Sequence, residues 1–148
     1  MPGARPQPLK LIPPIHRATH RIGLHIAQMS ELGVTQPEAH ILDHLACNGD
    51  CTVGELYGAF AHRRSTLTSV LDRLSGKKLI GREASEEDRR TFVIRLTPAG
   101  KSLAMRLHEL LRELEARVIA LVSARDVDGF TKVLVALEEV LQSRSDES

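Results

Sequence analysis

A mostly helical α+β fold is predicted for this 148-residue chain by three observations. Apolar residues recur at three- and four-residue spacing along most of its length, the period of amphipathic helices. Between about residues 79 and 97 the period changes to two, as in a half-buried strand pair. Aromatic residues make up only 3% of the chain and tryptophan is absent, so a 42% hydrophobic content must pack through Leu, Ile, Val and Ala. The length suits one modest domain with enough interior for a real core.

Taken in order, Met1 to Pro14 holds five of the seven prolines, and residues 1–13 are expected to form an extended arm. A first helix is expected from Pro14 to Leu32, with Ile15, Ile22, Ile26 and Met29 on one stripe and Gly33 as its stop. Thr35 to Glu38 has the form of a capping box and opens a second helix, whose stripe is Ile41, Leu42, Leu45 and Ala46. Cys47 to Asp50 breaks that helix. Thr52 to Glu55 is a second capping box, opening a short third helix through Leu56 and Phe60.

A basic helix follows, in which Leu67, Val70, Leu71 and Leu74 recur at helical spacing and leave Arg64, Ser65, Thr68, Ser69, Asp72 and Arg73 on a polar surface. Gly76, able to adopt a left-handed backbone, and the cations Lys77 and Lys78 are expected to end it. Leu79 to Ala84 is expected to pair antiparallel with Thr91 to Thr97, where Phe92, Ile94 and Leu96 alternate with Val93 and Arg95, leaving Ser85 to Arg90 as the hairpin tip. Thr97-Pro98 starts a long helix carrying Leu103, Leu107, Leu110, Leu114, Val118 and Leu121. Ser123 and Asp126 open a last helix with Val127, Phe130, Leu134, Leu137 and Leu141. These stripes run further than one small core needs, so part of them is expected to meet a second subunit.

The net charge of +1 conceals blocks of sign. Residues 1–30 carry four basic and no acidic side chains, and residues 31–60 carry five acidic and no basic. Residues 61–106 carry eleven basic and five acidic, and residues 107–148 five basic and nine acidic. Positive charge concentrated on one helix and its hairpin is the electrostatic footprint of a nucleic-acid binder, although a solvated charged face gives the same count. A short helix, a basic helix and a hairpin together make a winged helix-turn-helix, which enters the major groove with its second helix. The expected organisation is a winged helix-turn-helix over residues 35–97 between helical dimerisation segments at 14–34 and 98–142.

The stretch RLSGKKLIGREASEEDRRTFVIRLTPAG resembles the signature of the multiple-antibiotic-resistance regulator (MarR) family. The resemblance rests on Leu79, Ile80 and Arg82, on Asp88 and Arg90 at the wing, and on Leu96, Thr97 and Gly100, and extends over about residues 12 to 142. Lys78 departs from the pattern, since the family often has glycine there. The resemblance implies a homodimeric transcription regulator, usually a repressor, on a pseudo-palindromic operator. The expected DNA-binding residues are Arg63, Arg64, Ser65, Thr66, Thr68, Ser69, Arg73, Lys77, Arg89 and Arg90. Arg64 and Thr68 are expected at base edges, because arginine grips guanine with two hydrogen bonds and threonine can donate or accept. Arg73, Lys77 and Lys78 are expected at phosphates, and Arg90 in the minor groove. In the resembling family the wing aspartate holds this arginine, which gives Asp88 a positioning role; Asp72 is expected to pair with a basic neighbour.

The resemblance also implies release of DNA by a small aromatic or phenolic effector. His16, Arg17 and His20, with Arg21 and His25, would orient an anionic compound if they faced a cleft, and otherwise stand in solvent. His40, His44 and Cys47 at helical spacing are weak candidates for a metal, and Cys47 with Cys51 for a redox disulfide; small thiols and surface histidines are the plainer reading. No cofactor is expected. No Gly-rich phosphate loop or Cys-His-acid constellation supports an enzyme. The chain has no apolar run long enough for a bilayer and no signal-peptide core, so a cytoplasmic protein with reduced cysteines is expected. The alternative function is a winged helix used as a protein-interaction module.

Overall fold

The computed structural model describes residues 3, 5–60 and 64–145 of the chain. The elements are α1 (Ile12–Gln28), α2 (Gln36–Asn48), β1 (Cys51–Thr52), α3 (Val53–Phe60), α4 (Arg64–Gly76), β2 (Ile80–Ala84), β3 (Phe92–Leu96), α5 (Pro98–Ile119) and α6 (Ala124–Ser145), with a 3-10 turn at Ser30–Leu32. They fall into two compact units, residues 1–107 and residues 108–148.

The first unit contains the core. Ile41, Leu42 and Leu45 of α2, Leu56 of α3, Leu67, Val70, Leu71 and Leu74 of α4, Ile80 and Ile94 of the sheet, and Ala104 and Leu107 of α5 are all buried. The apolar stripe expected on the basic helix is thus its inner face, and the polar residues between are left outside. Both predicted capping boxes place a glutamate over the first turn. Glu38 accepts from the Thr35 amide at 3.2 Å, and Glu55 accepts from the Thr52 amide at 2.8 Å while Thr52 Oγ1 accepts from the Glu55 amide at 3.1 Å.

Several expectations need correction. The first helix runs over Ile12–Gln28 rather than from Pro14 to Leu32. Prolines in a first turn lose no hydrogen bond, so the helix can start before them, and the chain then tightens into the 3-10 turn before Gly33 at φ +62°. Of its expected stripe only Ile26 is buried. The sheet has three strands in the order β1-β3-β2, because Cys51 and Thr52 pair with Ile94 and Val93. Phe92, expected on the inner face of its strand, is half exposed, whereas Ile94 is fully buried.

A further correction concerns the end of α4. The left-handed residue is Lys78, at φ +59°, not Gly76. The Leu79 amide donates to the Leu74 carbonyl at 3.0 Å and the Lys78 amide to the Ser75 carbonyl at 2.9 Å, which closes the helix with the paired bonds of a Schellman motif. Thr97 then joins this cap to α5. Its hydroxyl donates to the Lys78 carbonyl at 2.7 Å and accepts from the Gly100 amide at 3.0 Å. A Cβ at Gly100 would lie 1.8 Å from the Leu79 carbonyl oxygen, so a side chain is excluded there by backbone. The Leu-Thr-x-x-Gly sequence is therefore the joint that seats α5 against the root of the hairpin.

In the second unit Ser123 and Asp126 cap α6 reciprocally, as expected: the Ser123 amide donates to Asp126 at 2.9 Å and the Asp126 amide to Ser123 Oγ at 3.2 Å. No side chain described in residues 108–143 is buried, although Val118, Ile119, Leu121, Val122, Phe130, Val135, Val140 and Leu141 are large, apolar and exposed. Leu121 lies past the end of α5 rather than on its stripe. No helix among the described residues is long and apolar enough to cross a membrane.

Candidate nucleic-acid interface

α4 is amphipathic in a way that sets the interface. Ser65, Thr66, Thr68 and Ser69 are exposed, two before and two after the buried Leu67, and Val70 after them is buried again. Arg64 is the first residue of the helix, and Arg63 lies outside the described residues. Exposed hydroxyls over the first turns can donate to or accept from base edges and phosphates alike.

The hairpin is pinned in register by five residue pairs, from Ile80 with Leu96 to Ala84 with Phe92. Its tip is folded by Asp88. The carboxylate accepts from the Arg90 amide at 3.0 Å and from the Thr91 hydroxyl at 3.4 Å, and the Ser85 amide donates to the Thr91 carbonyl at 2.8 Å. Asp88 therefore holds the backbone at Arg90 rather than its guanidinium. Arg89 and Arg90 are exposed, as are Glu86 and Glu87, and neither arginine has a carboxylate partner among the described residues.

The cations at the other end of α4 are arranged differently. Arg73 Nε donates to Glu38 Oε1 at 2.9 Å, and Lys77 Nζ donates to Glu38 Oε2 at 2.6 Å. Glu38 is fully buried. Burial alone would raise its pKa, but hydrogen bonds from Lys77, Arg73 and the Thr35 amide outweigh this and hold it below the ordinary glutamate value. The expected phosphate role of Arg73 and Lys77 thus meets an unforeseen fact: both cations already have an anion. The sequence marks Glu38 as a cap, but partners 35 and 39 residues away leave no local pattern. Asp72 pairs with Arg82 at 2.6 Å, a basic neighbour as expected, and Arg95 bridges Asp50 and Glu83.

A cleft of about 420 Å³ opens between α3, α4 and the tip-side start of β3, lined by Val53, Tyr57, Leu67, Thr68, Arg90 and Phe92 among others. His16, Arg17 and His20, with Arg21 and His25, are exposed on α1 and do not line it. Nor do His40, His44 and Cys47 bring ligand atoms together at one point. His44 instead lies 3.3 Å from the Asn48 amide nitrogen and edge-on to Phe60, with ring centroids 5.2 Å apart. Cys47 and Cys51 are not joined in a disulfide. Burial, and then the nearby Glu55 and Asp50 carboxylates, raise the Cys51 pKa, which disfavours its reactive thiolate.

Residues 34–92, from the start of α2 to the wing, match the model of the MarR family. The HTH-type transcriptional repressor Rv2887 of Mycobacterium tuberculosis is 30% identical over 111 residues, which cover 75% of this chain and 80% of the relative. The chain belongs to the MarR family. A MarR family regulator from Neisseria meningitidis superposes with a TM-score of 0.75 at 26% identity, over 90% of this chain and 92% of that one. The S. aureus MepR-DNA complex gives a TM-score of 0.79 at 19% identity, over 90% and 99% of the two chains. This MarR-family chain is a DNA-binding transcriptional regulator with a winged-helix fold, and its family is one of regulators rather than enzymes.

Proposed function

We propose that this chain is a cytoplasmic, homodimeric repressor that reads a pseudo-palindromic operator, with α4 in the major groove and the wing in the minor groove. The observation that carries the reading is the pairing of two exposed surfaces on one unit: the hydroxyl-bearing first turns of α4, and a wing tip whose two exposed arginines have no carboxylate partner among the described residues. Ser65, Thr66, Thr68 and Ser69, with Arg64 ahead of them, supply base and phosphate contacts. Arg90 enters the minor groove, where narrowed A·T tracts attract arginine. The second copy covers the apolar side chains that residues 108–148 leave exposed, since two-fold pairing turns one recognition helix into two half-site readers.

The effector is a small aromatic or phenolic compound. The cleft beside Thr68 and Arg90 supports this, because it sets Tyr57 and Phe92 beside a cation and a hydroxyl that the proposed complex uses. A compound bound there opposes DNA only by favouring the DNA-free form. The test is capture of genomic fragments, including the region upstream of the chain's own gene, by purified protein. Selective capture of a pseudo-palindrome is expected, with release by benzoate or a simple phenol. Uniform weak capture of every fragment would instead favour a protein-interaction module.

A further inference from the structure

Among the described residues Glu38 is the buried charged side chain of the core. It stands in the first turn of α2, where the helix dipole and a free amide both favour an anion. One cation would neutralise it, yet it holds two, and both come from the end of α4. Arg73 and Lys77 keep 46% and 39% of their side-chain surface exposed, so each lies at the edge of the protein with its charge turned inward. Further bonds fix both. Lys77 Nζ donates to the Gly33 carbonyl at 2.8 Å, and Arg73 Nη1 donates to Ser69 Oγ at 3.0 Å. Ser69 is one of the exposed hydroxyls of the candidate interface, so the same network that engages the cations braces a DNA-facing side chain.

Sequence-independent binding to DNA comes from cations neutralising phosphates, whereas discrimination comes from base contacts. A device that removes cations from the first account without touching the second raises selectivity. We propose that Glu38 is a specificity-determining residue of the DNA interface, which holds Arg73 and Lys77 on the protein and so withholds them from phosphates while positioning Ser69. The proposal rests on α4 being the recognition helix. A buried carboxylate beneath two edge cations fits it because one negative charge offsets part of the charge of the α4 end and holds both cationic heads on the protein, a hold that the wing arginines do not have.

The test is a salt series of binding to a random-sequence duplex and to the captured operator, for the wild-type chain, Glu38→Gln and Lys77→Met. Glutamine keeps an acceptor for the Thr35 amide and removes the charge. With both cations released, Glu38→Gln binds the random duplex about tenfold more tightly at low salt, and its log K against log salt steepens by about one to two per protomer. The operator-to-random ratio falls. Lys77→Met leaves the wild-type slope unchanged, because that charge does not reach phosphate. The proposal is overturned if Glu38→Gln gains no affinity for the random duplex, or if Lys77→Met flattens the slope by about one. Should Glu38→Gln lose its helical circular dichroism, the Lys77→Met slope decides alone. A wild-type chain without operator preference would count against the repressor reading, while the random-duplex slopes would still decide the role of Glu38.

Discussion

The C-terminal end of α4 and the tip of the wing carry the same kind of side chain to opposite ends. At the helix end two cations converge on a buried carboxylate, at 2.9 and 2.6 Å. At the wing tip Asp88 holds backbone and leaves both arginine heads outside. Positive charge in a basic segment is therefore not one resource. Cations with an internal partner hold the helix in place, and those without one are available to a ligand.

The scaffold side of this contrast breaks hardest at Gly100, where a methyl group would run into the Leu79 carbonyl. Gly100→Ala is expected to lower stability by about 3 kcal/mol, because backbone rather than a flexible side chain must move. Urea unfolding checks this, and an unchanged midpoint would mean that α5 is not seated on the hairpin root. On the exposed side, Arg90→Ala is expected to weaken operator binding about tenfold and to lower the salt slope by about one. Its unfolding midpoint should stay where it was, which separates a binding residue from a structural one.

Acid sharpens the same comparison. The Glu38 carboxyl has its pKa lowered on folding, so its contribution to stability is present above the ordinary glutamate value and is lost as pH falls through the lower folded value. The stability of the wild-type chain over Glu38→Gln is therefore expected to shrink as pH drops below about 4.5. A gap that does not change with pH would show that the ion pairs are not what holds α4. The smallest effect is expected at Lys78, whose φ of +59° suits glycine. Lys78→Gly should stabilise the chain by about 0.5 to 1 kcal/mol, seen as a small rise in melting temperature.

Much of this was legible in the chain because it is local. The stripe Leu67, Val70, Leu71 and Leu74 defines which way α4 faces, and both capping boxes and the Thr97-Pro98 start lie where their residue types require. The unread features are those with no local period. β1 is two residues long and becomes a strand only because β3 lies beside it. Phe92 obeys the alternation of its strand yet emerges at a cleft, since period two assigns a face but not what covers it. The Glu38 cluster joins residues 35 and 39 apart, so sequence identifies each member by its local role and not by its partner. Lys78 shows the converse, a position where the motif's usual glycine marked the left-handed backbone that lysine here adopts.

The measurement that bears most directly on the α4 and wing interface is a hydroxyl-radical footprint on the captured operator, run with the wild-type chain and with Arg90→Ala. The two-fold reading predicts two protected half-sites about one helical turn apart, each flanked by a minor-groove protection that disappears in the variant. A single unpaired protection, or flanking protections that survive loss of Arg90, would contradict it.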